Sequence, residues 1–481
     1  MNSRVTYLMA IIAFSASLAI AQTTGPVAYI YVSSNYSGST NRVVGFAANA
    51  DGQLTQISGS PWSDNLYYLA TSGTYLFGTS NVPDSLGKNI FSYSVGSNGA
   101  LHYLGATNIH SSSSDNACDY AGDLLLDHSG SYLYIYATEA YCNSEAAYLS
   151  YAVNKSNGSL SYLGVTPGNA FGLDAPLTMA ADNLYAYSSP DNDMYGTICA
   201  FTKQSNGSLA QDNGGNYCNI TPWPPGQPGD WTGYGGIVTS DPTNHLAMNM
   251  LYFDQNGTQS NKIETIAINT TNGDLTSSST FSNMPETDVQ NVDGLTMSPS
   301  GKLLAVAGSN GIQIFNFNPN GQATQNTGLI TTAPITQMYW DNSNHLYAIS
   351  NADNAIHVFT VTTTGATEVQ GSPWNVPHPV AMTGHSLMTG ACSAPSSDGV
   401  NVCSPAENAT VSSPVSISAA ATVTGGVYRF ELWDGNTKLL SENTGGMSDS
   451  LSLAPGSYHL IFSARNSSGV HEYATRDITV Q

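Results

Sequence analysis

The sequence predicts an all-β protein, a seven-bladed β-propeller followed by a small β-sandwich, and three observations carry that expectation. A strand–turn–strand tract recurs six times intact: LATSGTYLFGTSN (69–81), LLDHSGSYLYIYA (125–137), TMAADNLYAYSS (178–189), TSDPTNHLAMNM (239–250), MSPSGKLLAVAGS (297–309) and WDNSNHLYAISNA (340–352). A seventh copy is split between AMTGHSLMTG (381–390) and VAYIYVSSN (27–35). A second hairpin recurs seven times at the same period, as in VVGFAANADGQL, IFSYSVGSNGAL and IHVFTVTTTGAT. After Gly390 the composition turns to Ser and Pro, and short alternating runs follow.

Each hairpin is read from its turn. Asn-Gly and Asp-Gly flanked by alternating apolar residues are the strongest short-range hairpin signal, because the favoured turns need positive φ. Two hairpins per repeat make four antiparallel strands. Gly25 to Gly390 is 366 residues, so seven units average about 52 each, near the spacing of propeller blades. A Gly- and Ser-rich solenoid is the rival architecture. The split repeat favours a closed ring, in which the last segment supplies the innermost strand of the blade that the N-terminal segment begins.

The ends of the chain set the compartment and the second domain. Arg4 precedes the apolar run TYLMAIIAFSASLAIA, which ends in Ala19-Ile20-Ala21 before Gln22 and reads as a signal peptide over 1–21. The run is shorter than the ~18–20 apolar residues that a span needs. The expectation is an exported protein, periplasmic, secreted or at the cell surface, with no membrane insertion after cleavage. The propeller then occupies 22–390 and a linker 391–403, and runs such as VSISAAATV, VYRFELWDG and YHLIFSARN place the sandwich at 404–481. Phe430 and Trp433 are expected in its core.

Composition narrows the partners. Charged residues are 9% of the chain, far below the usual quarter, and uncharged polar residues must clothe the surface. The 28 Tyr and 13 Phe supply enough buriable area to exclude disorder as the main state. Asp+Glu 33 against Lys+Arg 11 gives a net charge of −22, which repels phosphate backbones and anionic leaflets and excludes nucleic acid as a partner.

The tracts AYIYVSSN and LYAISNADNAIHVFTV, with GSPW at 59–62 and 371–374, resemble the bacterial YVTN and lactonase-like propeller family over roughly residues 25–390. That resemblance implies the propeller fold. Some members of the wider family are 6-phosphogluconolactonases or muconate cycloisomerases, with His, Glu and Arg at the channel mouth, a set that does not map residue by residue onto this chain. The tail resembles the bacterial immunoglobulin-like domains that extracellular proteins carry. Trp62 and Trp374 of the two GSPW motifs are read as wedges between blades.

The six cysteines follow the strand map. Cys118 opens the first strand of the third blade and Cys142 follows its second, so the pair meets across an antiparallel ladder. Cys199 and Cys218 repeat that geometry one hairpin outward, and Cys392 with Cys403 closes a short loop in the linker. Export makes three disulfides the expectation. Metal ligation is the rival, but no C-x-x-C spacing or completing His is present.

The loops entering the inner strands gather Asp64, Asp174, Asp288 and His378 on one face. Asp64, Asp174 and Asp288 are the candidates for a divalent cation such as calcium, since hard ions prefer carboxylate oxygens. Asp174 and His378 are the candidates for catalysis. The alternative is that these side chains cap their own turns. The propeller's basic residues, Arg42, Lys88, Lys155, Lys203, Lys262 and Lys302, fall in turns on the opposite face or away from the axis, which disfavours a phosphorylated substrate.

One loop, NITPWPPGQPGDWTGYGG (219–236), presents Trp223, Trp231 and Tyr234 on a proline-stiffened backbone. Such rings can stack on sugars or peptide side chains at a reduced ordering cost, or they can pack down on the blades. The first functional expectation is a recognition or scaffold module for an extracellular glycan, peptide or cell-surface protein. The second is a metal-assisted hydrolase of an unphosphorylated lactone, in which a bound cation polarises the ester carbonyl.

Overall fold

A computed structural model describes residues 26–480 except 35–41, 64–65, 80–88, 110–119, 139–146, 168–175, 190–196, 212–218, 221–223, 230–231, 388–391, 393, 396, 412, 414, 443–444 and 452. Every described regular element is a β-strand. Among these residues no helix is long and apolar enough to cross a membrane. The signal-peptide segment 1–21 lies outside them.

Up to Ser386 the strands form seven antiparallel sheets of four or five strands, counted among the described residues. Sheet one orders Leu54–Gln56, Arg42–Ala48, Ala28–Ser34 and Pro379–Ser386. The inner strands of sheets two to seven are Tyr68–Thr71, Tyr120–Leu126, Thr178–Met179, Thr232–Ser240, Val292–Met297 and Gln337–Trp340. Each repeated tract thus gives strands one and two of a sheet, and each second hairpin strands three and four. The circle closes where Ala28–Ser34 pairs with Pro379–Ser386, Tyr31 opposite Thr383 and Ala28 opposite Ser386.

Burial shows why the sheets stand side by side. Each neighbouring pair shares one apolar cluster, and the clusters run in a circuit from sheet one round to sheet seven and back. Tyrosines tie the pairs together. Tyr31, Tyr134 and Tyr187, all buried on second strands, donate their hydroxyls to the carbonyls of Gly99, Gly207 and Gly273 in the hairpin turn of the next sheet, at 2.8, 2.9 and 2.9 Å. Gly207 shows the fit required: its φ is +91°, and a Cβ there would lie 1.9 Å from the ring of Tyr132. Trp62 packs into the interface of sheets one and two, and Trp374 into that of sheets seven and one, so both are wedges between sheets.

The C-terminal strands form two further sheets, of three and five strands, around a core that includes Phe430, Leu432 and Phe462. Two expectations change here. Trp433 lies on the opposite side of its strand from Phe430 and Leu432 and takes the Lys438 ammonium over its ring at 5.6 Å. Alternation along Arg429–Asp434 dictates this, because adjacent residues point to opposite faces. The first strand of these sheets is Gly399–Ser404, which begins inside the 391–403 segment read as linker and ends at the first residue read as sandwich. It carries Cys403, disulfide-bonded to Cys392. Cys199 is also disulfide-bonded. Cys118, Cys142 and Cys218 lie outside the described residues.

One buried carboxyl stands out. Glu264, on the third strand of sheet five, is fully buried, and neither carboxyl oxygen has a hydrogen-bond partner among the described residues. The nearby Ser277 hydroxyl donates to the Thr265 carbonyl at 2.9 Å instead. Burial pushes the carboxyl from 4.5 up to about 8. Between those values the folded state keeps a proton that the unfolded chain has lost, so stability falls as pH rises through the window.

Glu264→Gln should therefore flatten the pH dependence of unfolding between pH 4.5 and 8 and stabilise the protein above pH 8 by on the order of 5 kcal/mol, read from denaturant titrations at several pH values. Deleting 376–390 removes the closing strand and should abolish cooperative melting, whereas deleting 391–481 should leave the melting transition of the ring in place.

Candidate functional site

The inner strands converge on the axis, and two cavities open where their N-terminal ends meet. The first, about 600 Å³, is lined on sheets four to six by Tyr234, Asn249, Gln259, Asn261, Asn291 and Asp293 among others. The second, about 540 Å³, is lined by Tyr67, Tyr68, Asn351, His378 and Pro379. Asp123, Thr336 and Gln337 border both.

Irregular pairing places several of these side chains. The register of Tyr120–Leu126 shifts between Ala121 and Leu124, that of Thr232–Ser240 between Gly235 and Val238, and that of Val292–Met297 between Val292 and Gly294. Asp123, Gly236, Ile237 and Asp293 sit in these bulges, and all line the axial space. A bulge adds a residue to one strand and turns its side chain out of the pleat. Gly235 and Gly294 line the same space, whereas a Cβ at Gly122 would lie 2.6 Å from the ring of Tyr136.

Asp123 is the chemically distinctive group. Burial pushes its carboxyl from 3.8 up to about 6, so it changes charge near neutrality. Tyr68, raised to about 12 by burial and then by the Asp123 charge, packs edge-on to Tyr67 with ring centroids 4.8 Å apart. Across the cleft Tyr234 stands edge-on to Phe253 at 5.8 Å. Gln337 accepts the Met382 backbone N–H through Oε1 at 2.7 Å, and Asn261 donates through Nδ2 to the Val289 carbonyl at 2.9 Å. These hydrogen bonds fix two amides of the wall before any ligand arrives.

The residues singled out in the sequence are distributed unevenly. Tyr234 lines the first cavity and His378 the second, His378 exposed at φ +45° with its backbone N–H donating to Asn354 Oδ1 at 2.8 Å. Asp288 lines neither; its backbone N–H donates to Gln313 Oε1 at 2.8 Å and its carboxylate accepts from Gln313 Nε2 at 3.4 Å. Asp64, Asp174, Trp223 and Trp231 lie outside the described residues. Among the described residues no three His, Cys, Asp or Glu side chains are grouped as a metal set. Asp123 escaped a search confined to loops, because it sits inside a strand. Its signal is a lone carboxylate in the otherwise uncharged run YAGDLLL.

Comparison with known proteins supports the architecture. A family model described as a bacterial Ig domain matches residues 399–471. No curated protein matches the chain. Among solved structures, a candidate 6-phosphogluconolactonase from Bacteroides uniformis aligns with a TM-score of 0.53 and 16% identity, covering 75% of this chain and 100% of that one. A second, from Bacteroides fragilis, aligns with a TM-score of 0.51 and 16% identity, covering 76% and 99%. At this identity the likeness is one of fold: all-β, propeller-like, with an Ig-like C-terminal domain.

Carboxyl carbon NMR should show an aspartate titrating near pH 6 that vanishes in Asp123→Asn. Because the folded value lies above the unfolded one, ionising Asp123 lowers stability as pH rises from 3.8 to about 6, and the variant should lose that decline.

Proposed function

We propose that this is an exported recognition protein whose axial cleft binds a neutral, polyhydroxylated ligand of the carbohydrate class. The observation that carries the reading is the make-up of the wall. Among the described lining residues, Tyr, Asn, Gln, Ser and Thr make up nearly half and alternate with glycines and aliphatic side chains, the titratable side chains besides the tyrosines are Asp123, Asp293 and His378, and Lys and Arg do not occur. Amides and hydroxyls match sugar hydroxyls as donors and acceptors, and tyrosine faces take the apolar side of a ring. The Cys392–Cys403 disulfide and the Ig-like module support an oxidising, extracytoplasmic location.

A second reading is favoured by Asp123 itself: hydrolysis of an unphosphorylated lactone. A carboxylate with a value near 6 is suited to take a proton from water at neutral pH. Water oxygen would bond to the lactone carbonyl carbon as its proton passes to Asp123, the ring C–O bond would break, and the proton would return to the departing ring oxygen. The fold shared with the candidate lactonases supports this reading. Asp288 stands outside both cavities, so the chelator arm tests whether a cation takes any part in this chemistry.

The test pairs calorimetric titration of neutral oligosaccharides and peptides with a lactone-hydrolysis assay run with and without chelator. Saccharide binding, weakened by on the order of 1–2 kcal/mol in Tyr234→Ala with no change in melting temperature, is the expected result. Turnover without saccharide binding, lowered about 10²–10⁴-fold in Asp123→Asn, would replace recognition with hydrolysis.

A further inference from the structure

The two cavities divide the ring in a specific way. Numbered round the circle, Asp123 belongs to sheet three, and Thr336 and Gln337 belong to sheet seven or the loop leading into it. Sheets four, five and six lie between them on one side and sheets one and two on the other. The residues common to both cavities therefore face each other across the axis, and the cavities are the two sides of one opening with a waist between. Each side has its own aromatic wall: Tyr234 on one, Tyr67 and Tyr68 on the other, and neither set borders the opposite cavity.

We infer that the cleft has two subsites and that its ligand is a neutral oligosaccharide of at least two linked rings, one ring in each lobe, with the linkage lying over Asp123. The inference rests on the carbohydrate reading above and adds the length and placement of the ligand. Each lobe falls within the size range of a small-molecule site by itself and is roomier than one sugar ring, but a single ring can lie in only one lobe and so meets one aromatic set. A second ring joined to the first reaches the other set without a second loss of translational freedom, which makes the gain in affinity larger than one ring contact alone supplies. The waist suits a linkage more than a ring: Gln337 is tied to the Met382 backbone, and Asp123, protonated at mildly acidic pH, can donate to a bridging oxygen.

The experiment is calorimetry on the full chain with cello-, malto- and chito-oligosaccharides of one to four rings. In the series that binds, the dissociation constant should fall at least tenfold between one ring and two and change little beyond the length that fills both lobes. Tyr234→Ala and Tyr68→Ala should each return the two-ring ligand to near the one-ring affinity, with melting curves run on both variants, and Tyr68→Phe should retain binding. The length series needs no variant and stands even if one misfolds. A dissociation constant independent of ring number, with Tyr234→Ala still weakening it, would leave the carbohydrate reading standing and overturn the two-lobe inference. So would a length effect untouched by a folded Tyr68→Ala. Failure of every saccharide, or tight binding of peptides alone, overturns both.

Discussion

The ladder between Ala28–Ser34 and Pro379–Ser386 is the constraint on which the rest of the molecule depends. A four-stranded sheet with two apolar faces cannot stand alone in water, and each sheet here covers one face with the sheet before it and the other with the sheet after. Such a chain of dependencies ends safely only by returning to its start. The ladder joins residues about 350 positions apart, and the Ser33 hydroxyl adds to it by accepting the Ala381 N–H at 3.0 Å while donating to the Tyr67 carbonyl at the edge of sheet two at 2.7 Å. Contacts of that sequence separation form late and against a large loss of chain entropy. The local hairpins and the tyrosine bonds to the next sheet's turn are what prepare the two ends to meet.

Closure also creates the site. Seven twisted sheets splay outward, so their inner strands leave an opening on the axis that side chains must fill or line. Here bulges in three inner strands interrupt regular pairing and bring Asp123, Gly236 and Asp293 to that opening. A carboxylate in a regularly paired strand faces a neighbouring sheet, as Glu264 does on the third strand of sheet five. The bulge gives Asp123 a different environment, desolvated enough to raise its proton affinity yet bordering space that a ligand can enter.

The repeats were legible because two local signals, glycine turns and period-two apolar alternation, recur in phase, and strand order follows once each tract is assigned to a sheet. The wedge role of Trp62 and Trp374 was legible for the same reason, as both occupy the same place in the repeat. Other features depend on phase within a single strand. Trp433 is one position out of step with Phe430 and Leu432, and its aromatic character is no guide to its face. Asp123 depends on a bulge, which is set by pairing with a partner strand and leaves only a faint local mark. Strand Gly399–Ser404 hid in a Ser- and Pro-rich stretch because its partner, Val415–Thr422, supplies the ladder that its own composition does not advertise.

Charge placement bears on what the cleft can hold. The chain has 11 basic residues against 33 acidic ones, and several described ammonium groups are committed away from the axis. Lys203 lies 3.2 Å from the buried Asp127 carboxylate, Lys262 3.0 Å from Glu286, and Lys438 3.4 Å from Glu431. Removing Lys203 or Lys438 would strand a buried or largely buried carboxylate, and the buried Lys262 ammonium is held by the exposed Glu286, so structure holds the cations where they are. The described cleft is left with Asp123, Asp293 and the imidazole of His378, and with no Lys or Arg. A ligand anion at roughly 6 Å from an ionised Asp123 meets repulsion on the order of 2–3 kcal/mol at an effective dielectric of about 20, enough to weaken binding by one to two orders of magnitude. Below about pH 6 Asp123 takes up a proton and that penalty shrinks, while a hydroxyl-bearing neutral ligand gains a donor in its place. The same carboxyl that makes the cleft hostile to anions thus makes it adaptable to neutral ligands, and the selectivity follows from where the fold had to spend its few cations.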